Sequence, residues 1–114
     1  MSKADPAFGR DALYRVDKFI VPEAALPEFM QRVEETQTVL RQQPGFVRSV
    51  ILQQCDGPGR FNIVTFVEWE SGAVLEEVRE KVAAFHRERG FDPQAYCALH
   101  GITADIGVYR WIGE

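Results

Sequence analysis

The sequence is poor in cysteine: its 114 residues include only Cys55 and Cys97, and their spacing is not that of a metal-binding motif. Two cysteines are too few for the disulfide framework that holds a small secreted protein together. The sequence therefore predicts free thiols in a reducing compartment and leaves the role of both cysteines open.

Long apolar runs and blocks of basic residues are missing too. No stretch approaches the length needed to cross a bilayer, and the first residues, MSKADPAFGRDA, do not contain the apolar core of a signal peptide. The formal net charge of −4 leaves no basic surface for nucleic acid or anionic lipid. These absences predict a cytoplasmic protein that binds neither nucleic acid nor membranes.

The sequence does contain enough apolar material for one hydrophobic core. Hydrophobic residues make up 46% of the chain and charged residues 26%, which are ordinary values for a folded domain. The first twelve residues have scattered charge, Pro6 and Gly9, but no periodicity. We therefore expect a loosely ordered lead-in over residues 1–12 and a single domain over residues 13–114.

Changes in hydrophobic period divide this domain into strands and helices. Strand-like runs lie at residues 13–21, 46–55, 61–70 and 102–112. Helical spacing of apolar residues occurs within 23–43 and 71–89, and Asp92-Pro93 is a typical start for a short third helix that ends before Gly101. The order βαββαβ with a helical insert predicts a ferredoxin-like α+β fold, in which both long helices cover one face of an antiparallel sheet.

The uncovered face of this sheet is predicted to be apolar as well. On the third strand Ile63, Val67 and Trp69 point to one side, while Val64 and Phe66 point to the other. The two helices can bury only one of these faces. We therefore expect a homodimer in which the open face of the sheet contacts a second copy of the chain.

Several short segments resemble the antibiotic biosynthesis monooxygenase (ABM) family: the extended start of the first helix, the turn QQPGF at 42–46, VEWES at 67–71 and ADIGVYR at 104–110. The resemblance covers roughly residues 13–111 and implies a dimeric α+β barrel. It also implies a cavity between sheet and helices, where members oxidise aromatic polyketides to quinones without a cofactor, oxidise quinols or degrade haem. The resemblance thus implies that this chain binds a flat, apolar or aromatic molecule.

Three residues are candidates for the site that this resemblance implies. His86 flanks the apolar face of the second helix, and its near-neutral pKa suits a proton acceptor. Trp69 offers a ring on which a flat ligand can stack. Asn62 is the asparagine available for the quinone-forming branch, although its spacing from Trp69 puts the two on opposite strand faces unless a bulge intervenes. The alternatives are a surface position for His86 and core packing for Trp69.

No flavin, nicotinamide or metal motif is visible, so an oxygenation here would use the electrons of the substrate itself. The activity that the resemblance implies is therefore that of a cofactor-independent monooxygenase acting on phenolic or quinol substrates. The alternative is a dimer that binds a ligand without catalysis, for example in a stress response. Haem degradation is less expected, because the tryptophan position of the haem-degrading branch falls at Val78.

Overall fold

A computed structural model describes residues 11–113, in which four strands form one antiparallel sheet. The strand order is β2-β3-β1-β4, and β1 pairs with β3 on one side and with β4 on the other. The strands are β1 (Leu13–Ile20), β2 (Phe46–Gln53), β3 (Ile63–Trp69) and β4 (Thr103–Arg110). The ferredoxin-like α+β class predicted from the sequence is confirmed. Residues 1–10 of the predicted lead-in lie outside the described part of the chain.

Three helices accompany the sheet: α1 (Leu26–Arg41), α2 (Leu75–Glu88) and α3 (Pro93–His100). Short 3₁₀ turns, Glu23–Ala25 and Gly72–Val74, precede the first two. The predicted strands are one or two residues too long at six of their eight ends. The second strand ends at Gln53, and the Gln54 side chain then stabilises the following turn, where its Nε2 donates to the carbonyls of Gly57 and Gly59 at 3.1 and 2.9 Å.

Local chemistry fixes both ends of α3 at the predicted places. Asp92 caps α3, because its carboxylate accepts hydrogen bonds from the backbone N–H groups of Gln94 and Ala95. Gly101 follows the same helix in the left-handed conformation that glycine adopts most readily. Within residues 11–113 no helix is long and apolar enough to cross a membrane.

The two sheet faces divide as the alternation along β3 predicts. Ile63, Val67 and Trp69 are at most 2% exposed and belong to the cores beneath the helices, whereas Val64 and Phe66 point to the opposite face. We call this opposite side the open face. Three of its large side chains are about half exposed: Val50, Leu52 and Tyr109.

Two apolar clusters join the sheet to the helices. The first contains Val21, Phe29, Ile63 and Ile102, and the second contains Val67, Trp69 and Val78. Along β3, Thr65 lies between Ile63 of one cluster and Val67 of the other, and Asp17 of β1 is its partner in the sheet register. The sheet face beneath the helices is therefore polar between the two apolar clusters, and the candidate site lies at this polar position.

Candidate functional site

A cavity of about 1030 Å³ lies between the helices and the sheet. Most of its lining is apolar. The cavity is open to solvent because the helix layer does not cover β4 completely. Ile106 and Val108 of β4 line the cavity and remain 55% and 43% exposed. A volume of this size accommodates a molecule of several fused rings.

An ion pair lies on the cavity side of β1. Arg15 Nε is 2.6 Å from Asp17 Oδ1, and both side chains line the cavity. Burial raises the pKa of Asp17 above its ordinary value, and the neighbouring Arg15 opposes this shift. The pair therefore places a polar group that can exchange a proton in a mostly apolar cavity.

Sequence reasoning missed this pair. Arg15 and Asp17 alternate with Tyr14 and Val16, so they share the face of β1 that the helices cover. Charged residues at two successive inward positions of a central strand were the signal that could have identified them. That signal becomes readable only once the strand is known to be central and its inward face is assigned.

His86 lies in the cavity wall on α2, one turn after Val82. Its Nε2 is 3.3 Å from the hydroxyl oxygen of Thr36 on α1, and its ring packs against Phe85 and Phe91. Burial lowers the pKa of His86 below its ordinary value of 6.5. The imidazole is consequently neutral at pH 7 and can accept a proton from a molecule in the cavity.

Trp69 also lines the cavity but is only 2% exposed. Its ring packs edge-on against Phe46 at a centroid distance of 5.8 Å, and it shares its cluster with Val67 and Val78. The structure therefore brings His86 and Trp69 to one cavity, and most of the Trp69 surface serves packing.

Asn62 does not line this cavity. Its Oδ1 accepts a hydrogen bond from the backbone N–H of Val21 at 2.8 Å, and its Nδ2 donates to the carbonyl of the same residue at 2.9 Å. Both ends of the amide are thus occupied in joining the end of β1 to the start of β3. Within the structure the side chain acts as a connector between two strands.

The cysteines are separate and unpaired. Cys55 is exposed in the turn after β2, and Cys97 lies in the cavity wall, where burial raises the pKa of its thiol. The Cys97 thiol is therefore protonated at neutral pH and is a poor nucleophile. Residues 11–113 contain no group of three His, Cys, Asp or Glu side chains arranged to hold a metal ion.

Three solved structures share this architecture. SnoaB, a cofactor-independent oxygenase from Streptomyces nogalater, is 26% identical, with a TM-score of 0.61 and coverage of 91% of this chain and 96% of SnoaB. A proposed monooxygenase from Shewanella loihica PV-4 is 19% identical, with a TM-score of 0.69 and coverage of 90% and 96%. A variant of MhuD with two manganese protoporphyrin IX molecules per active site is 18% identical, with a TM-score of 0.67 and coverage of 90% and 96%.

Comparison with curated proteins gave no match. The family model described as "Antibiotic biosynthesis monooxygenase" matches residues 13–88, which include β1 to β3, α1 and α2 and hence most of the cavity wall. This span is about two thirds of the sequence and agrees with the resemblance found in its motifs. The chain belongs to the antibiotic biosynthesis monooxygenase family.

Proposed function

We propose that this protein is a cofactor-independent monooxygenase that binds a flat phenolic or hydroquinone-like molecule between sheet and helices and oxidises it with dioxygen. The observation that carries the proposal is the neutral imidazole of His86 in the wall of a large, mostly apolar cavity. Family membership and the 26% identity to SnoaB, which is itself a cofactor-independent oxygenase, support it.

The proposed reaction needs only the substrate, dioxygen and a proton acceptor. His86 removes a proton from the substrate, and the resulting electron-rich anion gives one electron to dioxygen. The substrate radical and superoxide then combine at a ring carbon that carries hydrogen, which forms a C–O bond and, with one proton, a hydroperoxide. Loss of water breaks the O–O bond and leaves a carbonyl. One oxygen atom enters the product and the other leaves as water, so no external reductant is consumed.

The apolar cavity contributes to this reaction by its low polarity. The rings of Phe85 and Phe91 pack against His86 and limit access of water to the imidazole, and this desolvation keeps the ring neutral. The contact with Thr36 holds the orientation of the ring. Trp69 supplies part of an aromatic wall against which a planar substrate packs. Asn62 has no part in this proposal, because Val21 occupies its amide.

We further propose that the protein acts as a homodimer in the cytoplasm. Val50, Leu52 and Tyr109 are about half exposed on the open face, and contact with a second copy would remove this apolar surface from water. Two unpaired cysteines, one of them exposed, fit a reducing compartment.

The alternative function is binding of the same kind of ligand without catalysis. It is favoured by the pairing of Asn62 with Val21. Because of that pairing, His86 is the one polar candidate from the sequence that still lines the cavity. Haem degradation is not part of the proposal, since Val78 occupies the expected tryptophan position and is buried in the second apolar cluster.

Oxygen uptake distinguishes catalysis from binding. The parent protein, treated with a chelator, is assayed with a panel of anthrones and hydroquinones beside His86→Ala and, as a control, His100→Ala on α3. We expect uptake to fall by about 100-fold or more in His86→Ala, the usual scale of a lost proton acceptor, and to persist in His100→Ala. Equal uptake by parent and His86→Ala would contradict the proposed role of His86.

The pH dependence provides a second readout. Because the pKa of His86 lies below 6.5, the parent should keep its activity below that pH and lose it only as His86 becomes protonated. The free energy of unfolding should likewise decrease as the pH falls below 6.5. Below 6.5 the unfolded chain takes up a proton that folded His86 resists, so this contribution to stability is complete above 6.5 and is lost as pH falls toward the folded pKa.

A further inference from the structure

Arg15 presents open hydrogen-bond donors to the cavity. Its Nε donates to Asp17 Oδ1 at 2.6 Å. Within residues 11–113 the two terminal nitrogens of its guanidinium, Nη1 and Nη2, have no hydrogen-bond partner, and neither is among the polar atoms that the protein closes to water. Arg15 lines the cavity, and 35% of its side chain is exposed. A molecule in the cavity can therefore reach these two donors.

The position of Arg15 in the sheet directs the exposed part of its side chain into the cavity. β1 lies between β3 and β4, and the register partners of Arg15 are Val67 and Val108, which line the same cavity. Solvent reaches this face of an interior strand only through the cavity. Trp69 is two residues beyond Val67 on β3, which makes it a diagonal neighbour of Arg15 on the same face. The guanidinium thus lies beside apolar and aromatic side chains.

The stability of the fold does not account for the pair of Arg15 and Asp17. Charges on the helix-covered face of a central strand have a desolvation cost, and replacing such a pair by apolar side chains commonly leaves a protein as stable or more stable. The contact with Asp17 also engages Nε alone and leaves the far end of the guanidinium open. An arginine that is oriented by one carboxylate and keeps two parallel donors is arranged to bind a further acceptor.

The charges of the cavity lining favour a negatively charged acceptor. The chain has a formal net charge of −4, yet the described residues that line the cavity include four arginines and only two aspartates. On the helices, Arg32 and Arg79 pair with glutamates one turn away at 3.6 and 3.5 Å. Arg15 is the arginine that the sheet contributes. Its planar fork matches a carboxylate, which accepts two parallel hydrogen bonds.

We propose that Arg15 is a specificity-determining residue that binds the carboxylate of a planar aromatic acid through Nη1 and Nη2. The proposal rests on the proposed function in taking this cavity as the substrate site, and it adds a group that the substrate carries besides its oxidisable ring. The rings of the ligand pack on the surface that includes Val67 and Trp69, and the carboxylate lies at the guanidinium. Asp17 orients the guanidinium, and its own charge opposes the incoming carboxylate.

The test measures binding without turnover. Anthraquinone-2-carboxylate is compared with anthraquinone-2-carboxamide, which has the same rings and nearly the same shape but no charge. Both are already oxidised, so a failure of the oxygenase proposal does not affect the result. Equilibrium dialysis at neutral pH gives the dissociation constants for the parent, Asp17→Asn and the double variant Arg15→Met/Asp17→Asn. The control is Arg41→Met/Glu34→Gln, which removes an exposed ion pair that does not line the cavity. Both double variants keep the net charge of the parent.

We expect the parent to bind the carboxylate about tenfold more tightly than the carboxamide, the scale of a charge-assisted hydrogen bond that is partly open to water. In Arg15→Met/Asp17→Asn the two affinities should agree within about twofold, because the carboxylate loses its partner while the apolar wall remains. The control should keep the preference of the parent. A parent without the preference, including one that binds neither compound, would overturn the proposal. So would an Arg15→Met/Asp17→Asn protein that keeps the preference or a control that loses it.

Asp17→Asn separates ligand binding by Arg15 from a structural role of the ion pair. Asparagine keeps an oxygen that accepts from Nε and removes the charge that opposes the ligand. The preference for the carboxylate should therefore rise above that of the parent by about threefold or more. If the pair only maintains the shape of the cavity, Asp17→Asn should weaken both compounds alike. An unchanged or smaller preference in this variant would overturn the proposal, and this result does not depend on the folding of the double variant.

Discussion

The side chain of Trp69 shows how one residue serves both the core and the cavity. Its ring is nearly buried against Phe46 and Val78, yet it forms part of the cavity wall. A ligand that packs against this wall should quench Trp69 emission. Titration of the parent should give saturable quenching at micromolar ligand, about 8 kcal/mol of binding free energy, and Trp69→Phe should lose most of that signal. Trp111, the other tryptophan of the sequence, remains in Trp69→Phe and serves as the internal control. Quenching that persists in Trp69→Phe would show that the ligand binds away from Trp69.

A second single-residue prediction concerns the ion pair between Arg48 and Glu68. The Glu68 side chain is only 2% exposed, and its Oε1 is 2.7 Å from Arg48 Nε, whereas the Arg48 side chain is 43% exposed. Removing the Arg48 guanidinium leaves a buried carboxylate without this ion pair, so it should lower the free energy of unfolding more than neutralising Glu68 does. We expect Arg48→Met to lower the free energy of unfolding by about 2 to 3 kcal/mol, and Glu68→Gln by about 1 kcal/mol. Urea denaturation at fixed protein concentration measures both, and the reverse order would contradict this account.

At the scale of elements, the turn between α1 and β2 depends on a glycine with two constraints. Gly45 has a φ of +89°, and a Cβ at this position would lie 2.9 Å from Val74 Cγ2. Gly57 has a φ of +96° but no heavy atom within 4 Å of such a Cβ. Gly57→Ala should cost about 1 to 2 kcal/mol from backbone strain alone, and Gly45→Ala about 1 kcal/mol more.

The excess cost at Gly45 should depend on Val74. In a double-mutant cycle, Val74→Ala should remove most of the difference between Gly45→Ala and Gly57→Ala, because the contact disappears while the backbone strain remains. Equal costs for the two glycine substitutions in the parent background would show that the contact with Val74 does not matter.

The elements themselves were predictable because each depends on local signals. Alternation along β3 and the start of α3 at Asp92-Pro93 are both readable without tertiary structure, and the structure confirms them. The site was less predictable because its members come from four elements: β1, β3, α1 and α2. Arg15 and Asp17 become recognisable only when the face of β1 beneath the helices is seen to line one cavity. Asn62 appeared available until the backbone of Val21 was seen to occupy it.

For the whole molecule, the open face makes the strongest prediction. Phe66 lies near the middle of that face, paired in register with Val16 of β1 and Val50 of β2. Phe66→Lys should place an unpaired ammonium in the proposed interface at a cost of several kcal/mol, enough to shift the dimer to monomers in light scattering. Leu99→Lys, on α3 and at a residue already 80% exposed, is the matched control and should stay dimeric. An unchanged mass for Phe66→Lys would contradict dimerisation through this face.

Isotopically labelled dioxygen tests the proposed oxygenase activity most directly. Chelator-treated protein is supplied with an anthrone under labelled dioxygen, and the quinone product is analysed by mass spectrometry. We expect each quinone formed to carry one labelled oxygen atom, with one dioxygen consumed per product and no added reductant, and His86→Ala to form product far more slowly. Product without label, or a rate no faster than that without protein, would contradict it.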